Sequence, residues 1–179
     1  MLDTESAFIA DESITPEVIG KFKTASYSFV GPLTTGALLG GASEADLRSI
    51  EKFAESLGIA YQLRDDLLGV FGDEKATGKS ATSDITEGKH TLLIEQFEIA
   101  ANPIQKAAFY KAFHNPIATA AEIETARTML VESGAKASVE NRIEQLGTEA
   151  DALIESLEIP DEYKKAFHQL VDDCLKRAS

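Results

Sequence analysis

Apolar residues recur every three or four positions along nearly the whole chain, the spacing of helices that bury one face. The first such stretch follows Thr15-Pro16, a capping residue and then a proline at the first helical position, and runs through VIGKFKTASYSFVG. Gly31-Pro32 interrupts it. Proline removes a backbone donor and crowds the carbonyl four residues back, that of Ser28, so a kink is expected a turn or two after Lys23 and Thr24. The helix resumes through LTTGALL and stops at Gly40-Gly41. Ser43 and Asp46 then form a capping box in its shorter-acid variant. The helix it opens carries Leu47, Ile50, Phe53, Ala54, Leu57, Tyr61 and Leu68 at helical spacing and ends near Phe71.

There the periodicity lapses. GDEKATGKSATSDITEGK, residues 72–89, holds glycines, small polar residues and three lysines, which predicts a loop. Eighteen residues without an element are uncommon in a compact domain and point to a functional segment. Helical stretches follow at about His90 to Ala101, closed by Asn102-Pro103, and at about Pro103 to His114, closed by Asn115-Pro116. Another runs from the Thr119/Glu122 capping box to Gly134, and an amphipathic region over 135–178 is interrupted near Pro160. The sequence has no strand pattern, repeat or linker. The expectation is an all-α protein with a motif-bearing core over 16–93 and carboxy-terminal helices over 94–179.

Charge narrows the functions. Seventeen Lys and Arg stand against 30 Asp and Glu, a formal net charge of -13, which disfavours nucleic acid and anionic membrane as partners. A local basic site for a small anion remains compatible with that balance. Cys174 is the only cysteine, so neither an intrachain disulfide nor a cysteine-based zinc site is available. No apolar run reaches the length of a membrane span, and MLDTESAFIADE lacks the basic and apolar regions of a signal peptide. The expectation is a cytoplasmic protein without membrane insertion.

The chemistry concentrates on the helix that begins at Ser43. Gln62, Asp65, Asp66 and Gly69 fall on one stripe of it, with Gly58 a turn earlier; the glycines are expected to leave room beside the acids. Two carboxylates about 5 Å apart repel by roughly 3 kcal/mol at an effective dielectric of 20. A divalent cation reverses that balance, and oxygen ligands suit Mg²⁺. A solvated pair offset by Arg64 and Lys89 is the plainer alternative. Lys23-Thr24 ahead of the proline, with Lys75, Lys79 and Lys89 in the polar loop, could form a positive counterpart for phosphate; Gly78 and Gly88 precede two of these lysines. His114 and His168 have no metal-spaced partners, Cys174 reads as inert, Phe22, Tyr27 and Phe29 read as core, and Asp151, Glu155 and Glu158 read as a solvated helix face.

KTASYSF, GIAYQLRDDLLGVFGD and GKSATSDITEGKHTLL together resemble, in order and spacing, the second half of the trans-type polyprenyl diphosphate synthases. The family's pattern there is KT…F, then FQxxDDxxD, then GKxxGxDLxEGKxT. The close match covers about Lys21 to Leu93. The resemblance implies an all-α helical bundle of the isoprenoid synthase type that uses Mg²⁺ to join an allylic diphosphate to isopentenyl diphosphate, commonly as a homodimer. It assigns Asp65 and Asp66 to metal, Lys23, Lys79 and Lys89 to the allylic diphosphate, and Thr24 and Gln62 to the face of the developing cation. Asp84 would orient a lysine or a metal-bound water. Phe29 would lie near the prenyl tunnel.

Departures accompany the match. Gly69 stands where the family has a third acid, Ser83-Asp84-Ile85 stands for xDL, and His90 replaces the basic residue after GK. The family's first aspartate-rich motif and its isopentenyl diphosphate ligands have no counterpart in the chain. MLDTE resembles the end of the family's GQxxD motif, with Asp3 as its acid, placed to pair with Lys23. The chain is therefore expected to be the carboxy-terminal half of a longer enzyme and inactive alone. A non-catalytic regulatory subunit is the alternative: Gly69 favours it, and retention of the lysines, Gln62 and both aspartates argues against it.

Overall fold

The computed structural model describes residues 15–72 and 83–176, and every regular element among them is helical. In chain order these are α1 (Pro16–Gly20), a π-helical segment (Lys21–Val30), α2 (Gly31–Leu39), α3 (Glu44–Phe71), α4 (Ser83–Thr86), α5 (Leu92–Ala100), α6 (Pro103–Phe109), α7 (Ala120–Glu132), α8 (Ala135–Ser156) and α9 (Asp161–Leu175). No helix among the described residues is long and apolar enough to cross a membrane. Asp3, Lys75 and Lys79 lie outside the described residues.

Several boundaries follow from local chemistry. Thr15 accepts a hydrogen bond from the Val18 amide, and Pro16 opens α1. The Ser43 hydroxyl accepts from the Asp46 amide at 3.1 Å ahead of α3. Reciprocal capping boxes open α6 at Asn102 with Gln105 and α7 at Thr119 with Glu122. These caps satisfy amides that would otherwise lack an intrahelical partner. Gly134, at φ 84°, separates α7 from α8.

Three segments depart from the sequence expectation. The disturbance from Pro32 takes the form of wide turns that begin at Lys21 and include Lys23 and Thr24. The Gly31 amide donates to the Ser26 carbonyl five residues back, and the Ser26 side-chain hydroxyl separately donates to the Lys21 carbonyl at 2.8 Å. An i to i+5 pattern of this kind accommodates an extra residue per turn. Within the polar loop, Ser83–Thr86 forms a helical turn. The helix expected to reach His114 ends at Phe109, because the chain turns over 110–114 and His114 itself takes φ 56°.

The chain divides into two compact units. In the first, residues 15–63 and 142–176, the core is built from Phe53 and Leu57 of α3, Ala150 and Ile154 of α8, and Val171 and Cys174 of α9. Phe53 and Phe167 meet edge to face at 5.3 Å, and Phe29 packs on Tyr61 at 5.5 Å. Arg142 grips Glu17 with two hydrogen bonds, 2.8 and 3.2 Å. Phe29 is partly buried as expected, but Phe22 and Tyr27 are 57% and 73% exposed, on the opposite side of the π segment from the buried Ala25.

The second unit comprises the described residues from 64 to 141. Phe97 of α5 and Phe109 of α6 are fully buried with ring centroids 4.5 Å apart, and α6 packs along α7. Ile85 of α4 is wholly buried, which anchors the short helical turn that carries Asp84.

Candidate functional site

The predicted residues that are described fall into two groups, one in each unit. In the first unit, the π segment lies directly on α3. A Cβ at Gly58 would stand 2.5 Å from the Cα and Cβ of Ala25, which is completely buried. That close approach aligns Thr24 with Gln62, and the Thr24 hydroxyl donates to Gln62 Oε1 at 2.5 Å. A Cβ at Gly20 would stand 3.4 Å from Gln62 Cγ, at ordinary contact distance. Lys21 pairs with Glu55 at 2.8 Å, while Lys23 is on the exposed side of the segment.

In the second unit, Asp66 of α3 is buried at 8% exposure, and its neighbour Asp65 is half-buried. Lys89 is the shared cation. Its Nζ donates to Asp84 Oδ2 at 3.0 Å and sits 3.8 Å from Asp66 Oδ1. Of the two partners the resemblance implied for Asp84, a lysine or a metal-bound water, Lys89 is in direct contact with it. Gly69, one turn beyond Asp65 and Asp66, faces the Asp84 carboxylate; a Cβ at 69 would collide with Oδ2 and stand 2.8 Å from Cγ.

Neither glycine of the predicted stripe leaves open room. Ala25 fills the space at Gly58, and the Asp84 carboxylate fills that at Gly69. Both absences of a side chain are used for the approach of another segment.

Sequence reasoning missed two supports. Gly88, at φ 73°, sits under His114, whose Cβ and Cγ would lie 2.7 and 2.8 Å from a Cβ there. The His114 amide also donates to the Ile85 carbonyl at 2.9 Å, so residue 114 holds the turn that presents Lys89. Its only sequence signal is the neighbouring Asn115-Pro116. The second support is Arg127, whose Nε donates to the Val70 carbonyl at 2.7 Å, at the end of the acid-bearing helix. A groove lined by Phe71, Glu124, Arg127 and Thr128 contains none of the predicted carboxylates or lysines.

The histidine set aside in the sequence is engaged. His168 Nδ1 lies 2.6 Å from Asp151 and Nε2 lies 2.8 Å from Glu155, so these acids do more than form a solvated face. The hydrogen bond to Asp151, then that to Glu155, raises the His168 pKa. Among the described residues, no group of three or more His, Cys, Asp or Glu side chains forms a complete metal cage.

A family model described as polyprenyl synthetase matches residues 12–130. Geranylgeranyl diphosphate synthase of Sulfolobus acidocaldarius is 40% identical over 101 residues, 56% of this chain and 30% of that protein. Geranylgeranyl diphosphate synthase of Methanosarcina mazei is 31% identical over 140 residues, 78% of this chain and 41% of the other. Among solved structures, the geranylgeranyl pyrophosphate synthase of Corynebacterium glutamicum, complexed with isoprenyl diphosphate and magnesium, superposes with a TM-score of 0.88 at 33% identity. That match covers 98% of this chain and 50% of the other. The chain thus spans half or less of the length of these relatives, and it has their all-α isoprenoid synthase fold.

Proposed function

Because the chain belongs to the polyprenyl synthetase family, we propose that it supplies the carboxylate-and-lysine half of a prenyltransferase site that condenses isopentenyl diphosphate with an allylic diphosphate. The observation that carries this reading is Lys89, held between Asp84 at 3.0 Å and Asp66 at 3.8 Å beside the half-buried Asp65. A buried acid with a lysine close by suits a ligand that contributes both a cation and an anion.

The donors fit Mg²⁺. They are hard carboxylate oxygens, too few to enclose an ion alone, and Mg²⁺ characteristically keeps waters and substrate phosphates in its shell. Asp65 and Asp66 would hold it. Once bound, it would offset the charge of the diphosphate leaving group.

The remaining chemistry belongs to the side chains. Lys89, with Lys23 and Lys79, binds diphosphate oxygens and stabilises the charge that grows as the allylic carbon–oxygen bond breaks. The isopentenyl double bond attacks the allylic cation, and the released diphosphate takes the proton. By donating its proton to Gln62, Thr24 keeps hydroxyl lone pairs directed away from that bond, and both oxygens are suited to face positive charge. Asp84 fixes the Lys89 ammonium. Asp3 is assigned the pairing with Lys23.

The working enzyme is proposed to be a homodimer, and the 179-residue chain alone to be without turnover, since it spans half or less of its relatives. A regulatory subunit is the second reading, and Gly69 is the feature that favours it. The test is the melting temperature of the chain with Mg²⁺ and an allylic diphosphate together. A rise that needs both, and that Asp65→Ala and Asp66→Ala abolish, supports the site. A rise that survives both substitutions removes these acids from it.

A further inference from the structure

We propose that His114 is a positioning residue for Lys89, bracing from outside the turn that delivers the lysine between Asp84 and Asp66. This rests on the reading of Lys89 as a diphosphate ligand. The turn itself is a helix cap. After α4 the Gly88 amide donates to the Ile85 carbonyl at 3.1 Å and the Lys89 amide to the Asp84 carbonyl at 3.0 Å, with Gly88 at φ 73°. Two such bonds around a left-handed glycine make a Schellman motif, which brings the residue after the glycine back beside the third residue from the helix end. The side chains that meet there are often apolar. Here they are charged: Lys89 Nζ donates to Asp84 Oδ2 at 3.0 Å and lies 3.8 Å from Asp66. The cap therefore sets where the ammonium sits.

A cap on a four-residue helix is weak by itself, and residue 114 supports it twice. The His114 amide is a second donor to the Ile85 carbonyl, at 2.9 Å, and the His114 Cβ and Cγ fill the space where a Cβ of Gly88 would project. The 110–114 turn is held in its own right. Tyr110 hydrogen-bonds Glu98 of α5, and Phe113 stacks on the buried Phe109 with ring centroids 5.0 Å apart. Among the described residues, His114 is the non-glycine residue with positive φ, at 56°. Glycine takes that backbone at less cost. Strain of this kind persists where the surroundings hold it and collects at functional sites, and here the side chain that incurs it rests on the glycine preceding Lys89.

The test uses substitutions in the 179-residue chain, read by calorimetric titration with inorganic pyrophosphate in the presence of Mg²⁺, by the ¹⁵N resonance of the Lys89 ammonium, and by melting temperature. His114→Gly removes the ring, keeps the amide and suits the backbone. It should leave the melting temperature near that of wild type and shift the Lys89 resonance. It should also weaken pyrophosphate binding by roughly threefold or more, the coupling found between residues in contact. Lys89→Ala should weaken binding by about 10- to 100-fold, the range for a hydrogen bond to a charged group. Adding His114→Gly to Lys89→Ala should cost nothing further, because the ring acts only through the lysine. His114→Asn keeps the contacting Cβ and Cγ and tolerates positive φ, so it should retain the wild-type resonance and affinity.

Unchanged affinity in His114→Gly overturns the inference, as does a His114→Gly loss that persists in full on top of Lys89→Ala. So does a His114→Asn variant as weak as His114→Gly. Failure of the underlying reading looks different: Lys89→Ala would then bind pyrophosphate as tightly as wild type, and the inference would fall with it.

Discussion

Arg127 donates from Nε to the carbonyl oxygen of Val70 at 2.7 Å, across 57 residues of sequence. Val70 is in the last turn of α3, where carbonyls have no intrahelical partner, and the guanidinium supplies one with a favourable charge for a helix carboxy terminus. Arg127→Ala should therefore destabilise the protein by about 1.5–3 kcal/mol, the range for a hydrogen bond to a charged group. Chemical denaturation checks it. A loss within error of zero would mean that water replaces the guanidinium without penalty.

Gly58 should tolerate no side chain. A Cβ there would overlap Ala25 at 2.5 Å, and the surrounding atoms are backbone and a buried methyl rather than a flexible tip. Gly58→Ala is expected to cost about 1–3 kcal/mol by overpacking, even though alanine is the better helix former. It should also displace Thr24 from Gln62. Denaturation midpoints give the energy, and the side-chain amide resonances of Gln62 report the broken contact. A stabilised Gly58→Ala protein would contradict the packing described.

At Gly88 two constraints coincide. The residue adopts φ 73°, and the His114 side chain fills the space where a Cβ would project. Gly88→Ala should destabilise by about 1–3 kcal/mol from backbone strain alone. Because Lys89 follows directly, the variant should also weaken binding of pyrophosphate with Mg²⁺. Retained affinity in the variant would show that Lys89 does not depend on this turn.

These findings mark what could be read from the sequence. The caps at Thr15, Ser43 and Thr119 were legible because their partners lie three residues away, and local chemistry suffices; the cap at Asn102 was read only as the end of the preceding helix. The helical periodicity of α3 and the breaks at Asn102-Pro103 and Pro160 were legible for the same reason. The contents of the space at Gly58 and Gly69 were not, since glycine records only that a side chain is missing and not which distant segment needs the gap. The form of the Pro32 disturbance was likewise hidden: missing donors and crowding predict strain, but a bend and a run of wide turns both relieve it. Phe22 and Tyr27 carried a core-like composition without the cover that would make them core.

His168 predicts a pH dependence with a definite sign. Its two nitrogens are held by Asp151 and Glu155, and Lys164, 3.8 Å from Glu155, is the other charge on that acid. The pairing raises the folded-state pKa above the unfolded value of about 6.5. A raised pKa means the protonated form favours folding, so the stabilisation is complete below the unfolded pKa and is lost as pH rises through the folded one. The melting temperature of wild-type protein should exceed that of His168→Gln most on the acid side of neutrality, above the carboxylate range, and converge with it in alkaline buffer. A pH-independent difference would mean that the imidazole contributes only packing.

The most direct test of the metal-and-diphosphate site uses Mn²⁺ as a paramagnetic substitute for Mg²⁺, added with inorganic pyrophosphate to isotopically labelled chain. Backbone amide resonances of Asp65, Asp66, Gly69, Asp84 and Lys89 should broaden first, and Asp66→Asn should remove the effect. Broadening confined to the acidic surface around Asp151 and Glu155, with residues 65–69 unaffected, would contradict the assignment of the metal to α3.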